Sequence, residues 1–190
     1  MGAGLAALAG TLALGAWRSR DRGGAASALP LPLSAMGWEL TDHRRGRVSP
    51  QAWIGQPAMV FFGFTWCPDV CPTTLMDIAG WLEDLGGAAD RLTVALITVD
   101  PERDTPEQLA RYVELFDPRI LGLTGSPAQI ARAAGDFRVR YEKIPREDGD
   151  YTMNHTAGVF LFHADGRFAN IIDFHEDRAF ALPKLRRILT

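Results

Sequence analysis

Two kinds of hydrophobic run organise this chain. Residues 57–64 are continuously apolar, the pattern of a strand covered on both faces, and residues 92–99 read as a second buried strand. A helix is expected after each, over 72 to about 85 and over 106–116, followed by a short strand at 120–123 and a third helix from Pro127. Residues 137–141 alternate apolar and polar like an edge strand. Residues 156–162 and 168–174 flank an Asp165-Gly166 turn and predict a hairpin, and Leu182-Pro183 marks the start of a last helix. Ahead of these elements, residues 37–53 read as a β-hairpin turning near Arg45-Gly46.

Thr105-Pro106-Glu107-Gln108 and Ser126-Pro127-Ala128-Gln129 each supply a hydroxyl cap, Pro at the first helical position and Gln at the third. Strand–helix–strand, then a hairpin, then a helix is the order of an α/β thioredoxin-like fold, here with an N-terminal β-hairpin extension. A parallel pair needs a right-handed crossover. The carboxyl end of the first core strand, where it meets a helix N-terminus, is then the place for a site.

That place holds Cys67-Pro68-Asp69-Val70-Cys71-Pro72, with the only two cysteines of the chain. Two are too few for a disulfide scaffold and point to a site. Such a pair can close a disulfide, exchange electrons with another dithiol, or hold a soft metal ion. Positions i and i+4 of a regular helix keep their Cβ atoms about 5–6 Å apart, whereas a disulfide needs roughly 3.5–4.5 Å. One cysteine must therefore leave the helix if the pair is to close. Pro72 as the first helical residue would make Cys71 the N-cap and put Cys67 on a loop. The positive end of the helix dipole lowers the pKa of thiols placed there.

Composition narrows the partners. A chain of 190 residues with 47% apolar content suits one globular domain with a sizeable core. Its net charge of −3 provides no basic footprint, so nucleic acid is not an expected partner. Residues 1–17 carry no charged side chain and are followed at once by Arg18, Arg20 and Arg22. This run spans only ~25 Å as a helix against a ~30 Å hydrocarbon core. A short membrane anchor or a signal peptide is expected, with Ala26-Ser27-Ala28 as a cleavage-like site; a buried helix is the blander alternative. Residues 18–35 read as a linker and 36–190 as the folded domain.

Further ligand candidates are few. His155 immediately precedes the expected hairpin, on the connection that a thioredoxin-like layout packs beside the dithiol helix. Thioredoxins place a cis-proline there, and this chain offers an imidazole. His43, His163 and His175 lie in or near turns and have weaker claims, and Met153 reads as a packing residue. Asp100 ends the second core strand, either as part of a capped turn or as a carboxylate that orients or charge-tunes the site. Two thiolates and one imidazole make a soft, three-donor set, short of the four ligands of a structural zinc site. Sulfur selects Cu(I), and added nitrogen allows Cu(II).

Taken together, Cys67-Pro68-Asp69-Val70-Cys71-Pro72 after Phe64-Thr65, Thr98-Val99-Asp100-Pro101-Glu102-Arg103-Asp104-Thr105-Pro106, Leu123-Thr124-Gly125 and Tyr151 with His155-Thr156 resemble the Sco/SenC family over roughly residues 36–189. The resemblance implies a membrane-tethered, thioredoxin-like domain outside the cytoplasm, on the periplasmic side of a bacterial cytoplasmic membrane. It implies copper held by Cys67, Cys71 and His155. It also implies a part in assembling the binuclear copper centre of cytochrome c oxidase subunit II or supplying another copper client, by metal delivery, thiol reduction or both. A copper donor or a thiol reductase would be the further partner. The family usually has Asp before the histidine; here Asn154 stands there, which bears on local charge and imidazole orientation. The rival readings are a thiol–disulfide oxidoreductase or peroxidase using Cys67 and Cys71 catalytically, and a copper sensor or buffer that serves no oxidase.

Overall fold

Three parallel strands, β3 (Ala58–Gly63), β4 (Thr93–Thr98) and β5 (Ile120–Thr124), form the centre of the protein, and their side chains are almost entirely buried, as continuous apolar runs require. The structure, a computed structural model, describes residues 29–147 and 149–190. β1 (Leu40–Asp42) and β2 (Arg47–Val48) extend the sheet antiparallel beyond β5, and β8 (Val159–Phe162) and β9 (Phe168–Ile172) extend it beyond β3. The resulting order is β2-β1-β5-β4-β3-β8-β9.

Helix α1 (Val70–Leu85) joins β3 to β4, and α2 (Pro106–Val113) joins β4 to β5. Both lie on one face. Gly63 abuts the Cys71 sulfur, Gly122 abuts Leu109 of α2, and the register Phe61↔Leu96↔Gly122 puts these positions on the same side. Helix α3 (Pro127–Phe137) covers the opposite face, where Phe137 meets Phe62, Phe160 and Phe162 edge-on. Helix α4 (Arg178–Leu189) packs beside α1, with Arg178 paired to Asp84. The thioredoxin-like α/β arrangement and its N-terminal hairpin are thus present. Thr105 and Ser126 cap α2 and α3 by accepting the Gln108 and Gln129 N–H groups.

Three local expectations are corrected. Helix α1 begins at Val70, so Cys71 lies inside its first turn and Asp69 occupies the N-cap position. Pro72 still fits there, because the first turn's N–H groups have no intrahelical partner. Residues 137–140 are not a strand: Arg138 adopts a left-handed conformation (φ 62°) and the Val139 N–H closes back on the Ala134 carbonyl, so the alternation is the signature of a helix C-cap. The strand lies further on, as β6 (Tyr141–Pro145), paired in a separate two-stranded sheet with β7 (Tyr151–His155). The last helix starts at Arg178 with Asp177 as cap, and Pro183 sits within it on the exposed face, where the carbonyl it leaves free is open to water.

The chain enters the fold earlier than expected. The Leu31 N–H donates to the Asp136 carbonyl, the Leu33 N–H donates to the Gly166 carbonyl, and the Leu33 side chain is fully buried. Residues 31–35 therefore belong to the folded body rather than to a linker. The expected anchor or signal segment at 1–17, its arginines and Ala26-Ser27-Ala28 lie outside the described residues.

Candidate functional site

Gly63 ends β3, and residues 64–69 carry the chain over the sheet edge into α1. Cys67 is half-buried on this connection and Cys71 is fully buried in the first turn of the helix; both are free thiols. The Cys71 N–H donates to the Cys67 sulfur at 3.4 Å, so Cys67 does the capping that the Asp69 side chain does not. A hydrogen bond from Cys71 is the main influence lowering the Cys67 pKa, to about 4, against an opposing effect of burial; His155 and the Asp69 and Cys71 N–H groups add to the lowering. The same Cys67–Cys71 hydrogen bond, then burial, push the Cys71 thiol up. The pair therefore holds one negative charge, on the more exposed sulfur.

His155, the last residue of β7, completes the cluster. Its Nε2 lies 3.5 Å from the Cys71 sulfur, and its Nδ1 lies 2.9 Å from the Thr156 carbonyl oxygen. A carbonyl only accepts, so Nδ1 donates to it and Nε2 is the ring nitrogen turned toward the thiols. Phe61 and Phe64 meet the ring edge-on at 6.1 and 5.9 Å and fix its plane.

Two buried carboxylates support these groups in different ways. Asp104 is fully buried and accepts hydrogen bonds from the Thr65 N–H, at 3.1 Å to its nearer oxygen, and from the Thr65 and Thr98 hydroxyls, each at 2.6 Å. It ties the segment leading into Cys67 to the end of β4. Burial raises its pKa against the effect of those donors. Asp100, the carboxylate expected to tune the site, is 2% exposed; it is engaged by Arg103 Nε at 2.5 Å and by the Tyr151 hydroxyl at 2.9 Å. Arg103 also donates to the Tyr151 carbonyl at 3.1 Å, and its guanidinium lies 3.7 Å from the Tyr151 ring centroid and 5.5 Å from that of Trp66. Asp100 thus acts on the start of the strand that carries His155. Asp104, Arg103, Tyr151, Thr65 and Thr98 stood among the quoted motif residues, but the sequence assigned none of them a role. The available signal for Asp104 was a threonine at the carboxyl end of each buried run, Thr65 just after β3 and Thr98 closing β4, whose hydroxyls need an acceptor.

The remaining candidates lie apart from the cluster or serve packing. His43 accepts the Gly122 N–H at its Nδ1 on β5, His163 sits in the β8–β9 turn, and His175 stacks against Phe174 at 3.9 Å. Met153 is buried, as a packing residue should be. Asn154 is exposed and, one step from His155 on an extended strand, faces the other way; the imidazole is oriented by the Thr156 carbonyl instead.

The donor set suits a soft ion: two sulfurs, one of them with a strongly lowered pKa, and one imidazole nitrogen. Two ligands on a zinc-like ion stand ~3.6 Å apart given bond lengths of ~2.3 and ~2.1 Å and tetrahedral angles, close to the 3.5 Å between Cys71 and His155. Among the described residues, no three His, Cys, Asp or Glu side chains already stand in a metal-ready arrangement. The three side chains bond to one another instead; a soft ion held by them would take the place of those hydrogen bonds and of the Cys71 proton.

A family model described as SCO1/SenC matches residues 31–190. Over 137 residues the chain is 43% identical to the human protein SCO2 homolog, mitochondrial, in an alignment covering 70% of this chain and 51% of that protein; the chain spans about half the length of the curated relatives it matches. Its fold superposes on Bradyrhizobium japonicum ScoI with copper bound, with a TM-score of 0.75 and 41% identity, covering 84% of this chain and 99% of that one. It also superposes on yeast Sco1 with copper bound, with a TM-score of 0.74 and 29% identity, covering 84% and 87%.

Proposed function

The chain belongs to the SCO1/SenC family, and from that premise we propose that it binds copper through Cys67, Cys71 and His155 and helps assemble the binuclear copper site of cytochrome c oxidase subunit II. The observation that carries the reading is the convergence of the His155 Nε2, 3.5 Å from the Cys71 sulfur, on a dithiol whose more exposed thiol is held far below its usual pKa. Such donors favour Cu(I) and accommodate Cu(II). Cys67 supplies the more exposed of the two sulfurs, the one to meet incoming metal, Cys71 supplies the second sulfur on losing its proton, and His155 is held ready by Thr156, Phe61 and Phe64. Residues before Leu29 tether the domain outside the cytoplasm, in bacteria on the periplasmic side. The test is transfer: copper-loaded protein mixed with a copper-free soluble fragment of subunit II should generate the absorption of the binuclear centre. Retention of all copper by the loaded protein contradicts the reading.

The unequal thiols favour a second activity of the same pair. The Cys67 thiolate attacks a client disulfide, forming a mixed disulfide and releasing one client thiolate. Cys71, on losing its proton, then attacks the Cys67 sulfur and releases the second, leaving a Cys67–Cys71 disulfide and a client reduced by two electrons. Cys71→Ser should trap the mixed disulfide and Cys67→Ser should not; trapping by both or neither contradicts this role.

A further inference from the structure

Strands β6 and β7 form a two-stranded sheet apart from the main one, and β7 ends in His155. A two-stranded ribbon is marginal in water by itself, so this arm owes its order to what it is docked on. Beyond His155 itself, polar ties run from the arm to the turn that follows β4. The Tyr151 hydroxyl donates to Asp100 at 2.9 Å, and Lys143 pairs with Glu102 at 2.7 Å. Arg103 Nη1 donates to the Tyr151 carbonyl at 3.1 Å and pairs with Asp150 at 3.3 Å.

Arg103 is the centre of these ties. Its side chain is only 16% exposed, its Nε engages Asp100 at 2.5 Å, and its guanidinium lies 3.7 Å from the Tyr151 ring centroid. Its other aromatic neighbour, at 5.5 Å, is Trp66, the residue before Cys67. One guanidinium thus reaches from the segment that leads into Cys67 to the start of the strand that ends in His155. Its Nη2 is buried and has no hydrogen-bond partner. A guanidinium buried with one nitrogen unpaired is a poor source of stability, which favours a positioning role over a purely stabilising one.

We propose that Arg103 is a positioning residue of the copper site: it holds the β6–β7 arm, and with it the His155 imidazole, against the dithiol. This rests on the copper reading above. Without that hold the arm leaves its dock, and copper affinity falls with the docked fraction. The coupling is reciprocal, so copper bound to His155 tightens the arm in turn.

The experiment compares wild type, Arg103→Lys, His155→Ala and the double variant as purified reduced proteins. Arg103→Lys keeps a cation beside Asp100 and loses the planar fork. Without metal, its β7 amides should lose most of their protection from hydrogen exchange, while those of β3 and β4 keep theirs. One equivalent of Cu(I) should restore the β7 protection. Its Cu(I) affinity, measured by competition with a chromophoric chelator, should fall about 10–100-fold. In the His155→Ala background the same substitution should change affinity by less than about twofold, because the two losses share one route. Tyr151→Leu keeps the Asp100–Arg103 pair, should show the same pattern, and decides the matter if Arg103→Lys does not fold. A loss of equal size with and without His155 overturns this inference alone. So does wild-type affinity in Arg103→Lys, or exchange that quickens in β3 and β4 as much as in β7. A wild type that binds no copper overturns the copper reading and this inference together.

Discussion

Gly63 is where packing and site chemistry meet, so enlarging it tests both. A Cβ at this position would stand 2.8 Å from Phe61 Cε1, 3.1 Å from the Cys71 sulfur and 3.2 Å from Leu96 Cδ1. Carbon contacts settle at about 3.5–4.0 Å, so Gly63→Ala forces all three neighbours back by several tenths of an ångström. Overpacking of this kind costs about 1–3 kcal/mol, and at about 2–4 °C per kcal/mol the melting temperature should fall by ~2–12 °C. The displaced Cys71 sulfur should also lose its 3.5 Å contact with His155, weakening metal binding. Gly122→Ala is the matched control. Its Cβ would lie 2.9 Å from Leu109 Cβ, on the same face but against α2 rather than the dithiol. Calorimetry of both variants, with and without one equivalent of Cu(I), separates the effects. Both should melt low, and only Gly63→Ala should lose part of the copper-induced shift. Equal copper shifts in the two variants would refute the claim that Gly63 makes room for the site.

Other predictions follow from the same residues. With a pKa near 4, Cys67 is a thiolate at neutral pH, so its alkylation by iodoacetamide should be flat from about pH 6 to 8, where an ordinary thiol slows about tenfold per unit; a rate falling in proportion to acidity contradicts the assignment. Burial raises the Asp104 pKa above the ordinary 3.8, so the native state binds this proton more tightly than the unfolded chain does. The resulting stability is present below 3.8 and is lost as pH rises through the native value. Wild type minus Asp104→Asn, measured by urea midpoints, should therefore decline with rising pH and then level off; a difference that grows with pH has the wrong sign. A chain shortened to begin at Ala35 loses the fully buried Leu33 and the two backbone bonds that dock residues 31–33. It should be about 2–5 kcal/mol less stable to urea than one beginning at Leu29, and equal midpoints would return those residues to the linker.

Much of the fold is legible because burial on both sheet faces leaves a continuous apolar run at β3 and a mainly apolar one at β4, and because hydroxyl–proline punctuation marks α2 and α3. The dithiol and its place at the end of β3 are legible for the same reason: a strand followed by a proline-marked helix has one carboxyl edge. What the sequence hides is local geometry with two solutions. Pro72 is equally content at the first or third helical position, so the start of α1 depends on where the Cys67 sulfur can cap it. Residues 137–140 alternate in either a strand or a left-handed C-cap, and the Val139 N–H to Ala134 carbonyl bond decides for the cap. Asp100 and Asp104 look alike in one acidic, proline-bounded segment. Only the three-dimensional meeting of Thr65 with Thr98 separates the carboxylate that latches the Cys67 segment from the one that holds Arg103 and Tyr151.

The claim that Cys67, Cys71 and His155 form one copper site is tested most directly by anaerobic Cu(I) titration of the reduced protein beside its disulfide-oxidised form and His155→Ala. The account predicts one equivalent bound tightly by the reduced protein and none by the oxidised form, because only thiolates ligate the metal. Saturated at about a thousand times its dissociation constant, copper should stabilise the reduced protein by about 4 kcal/mol, and His155→Ala should keep both thiols while losing most of that gain. Tight, stoichiometric binding by the oxidised protein, or an undiminished gain in His155→Ala, would contradict it.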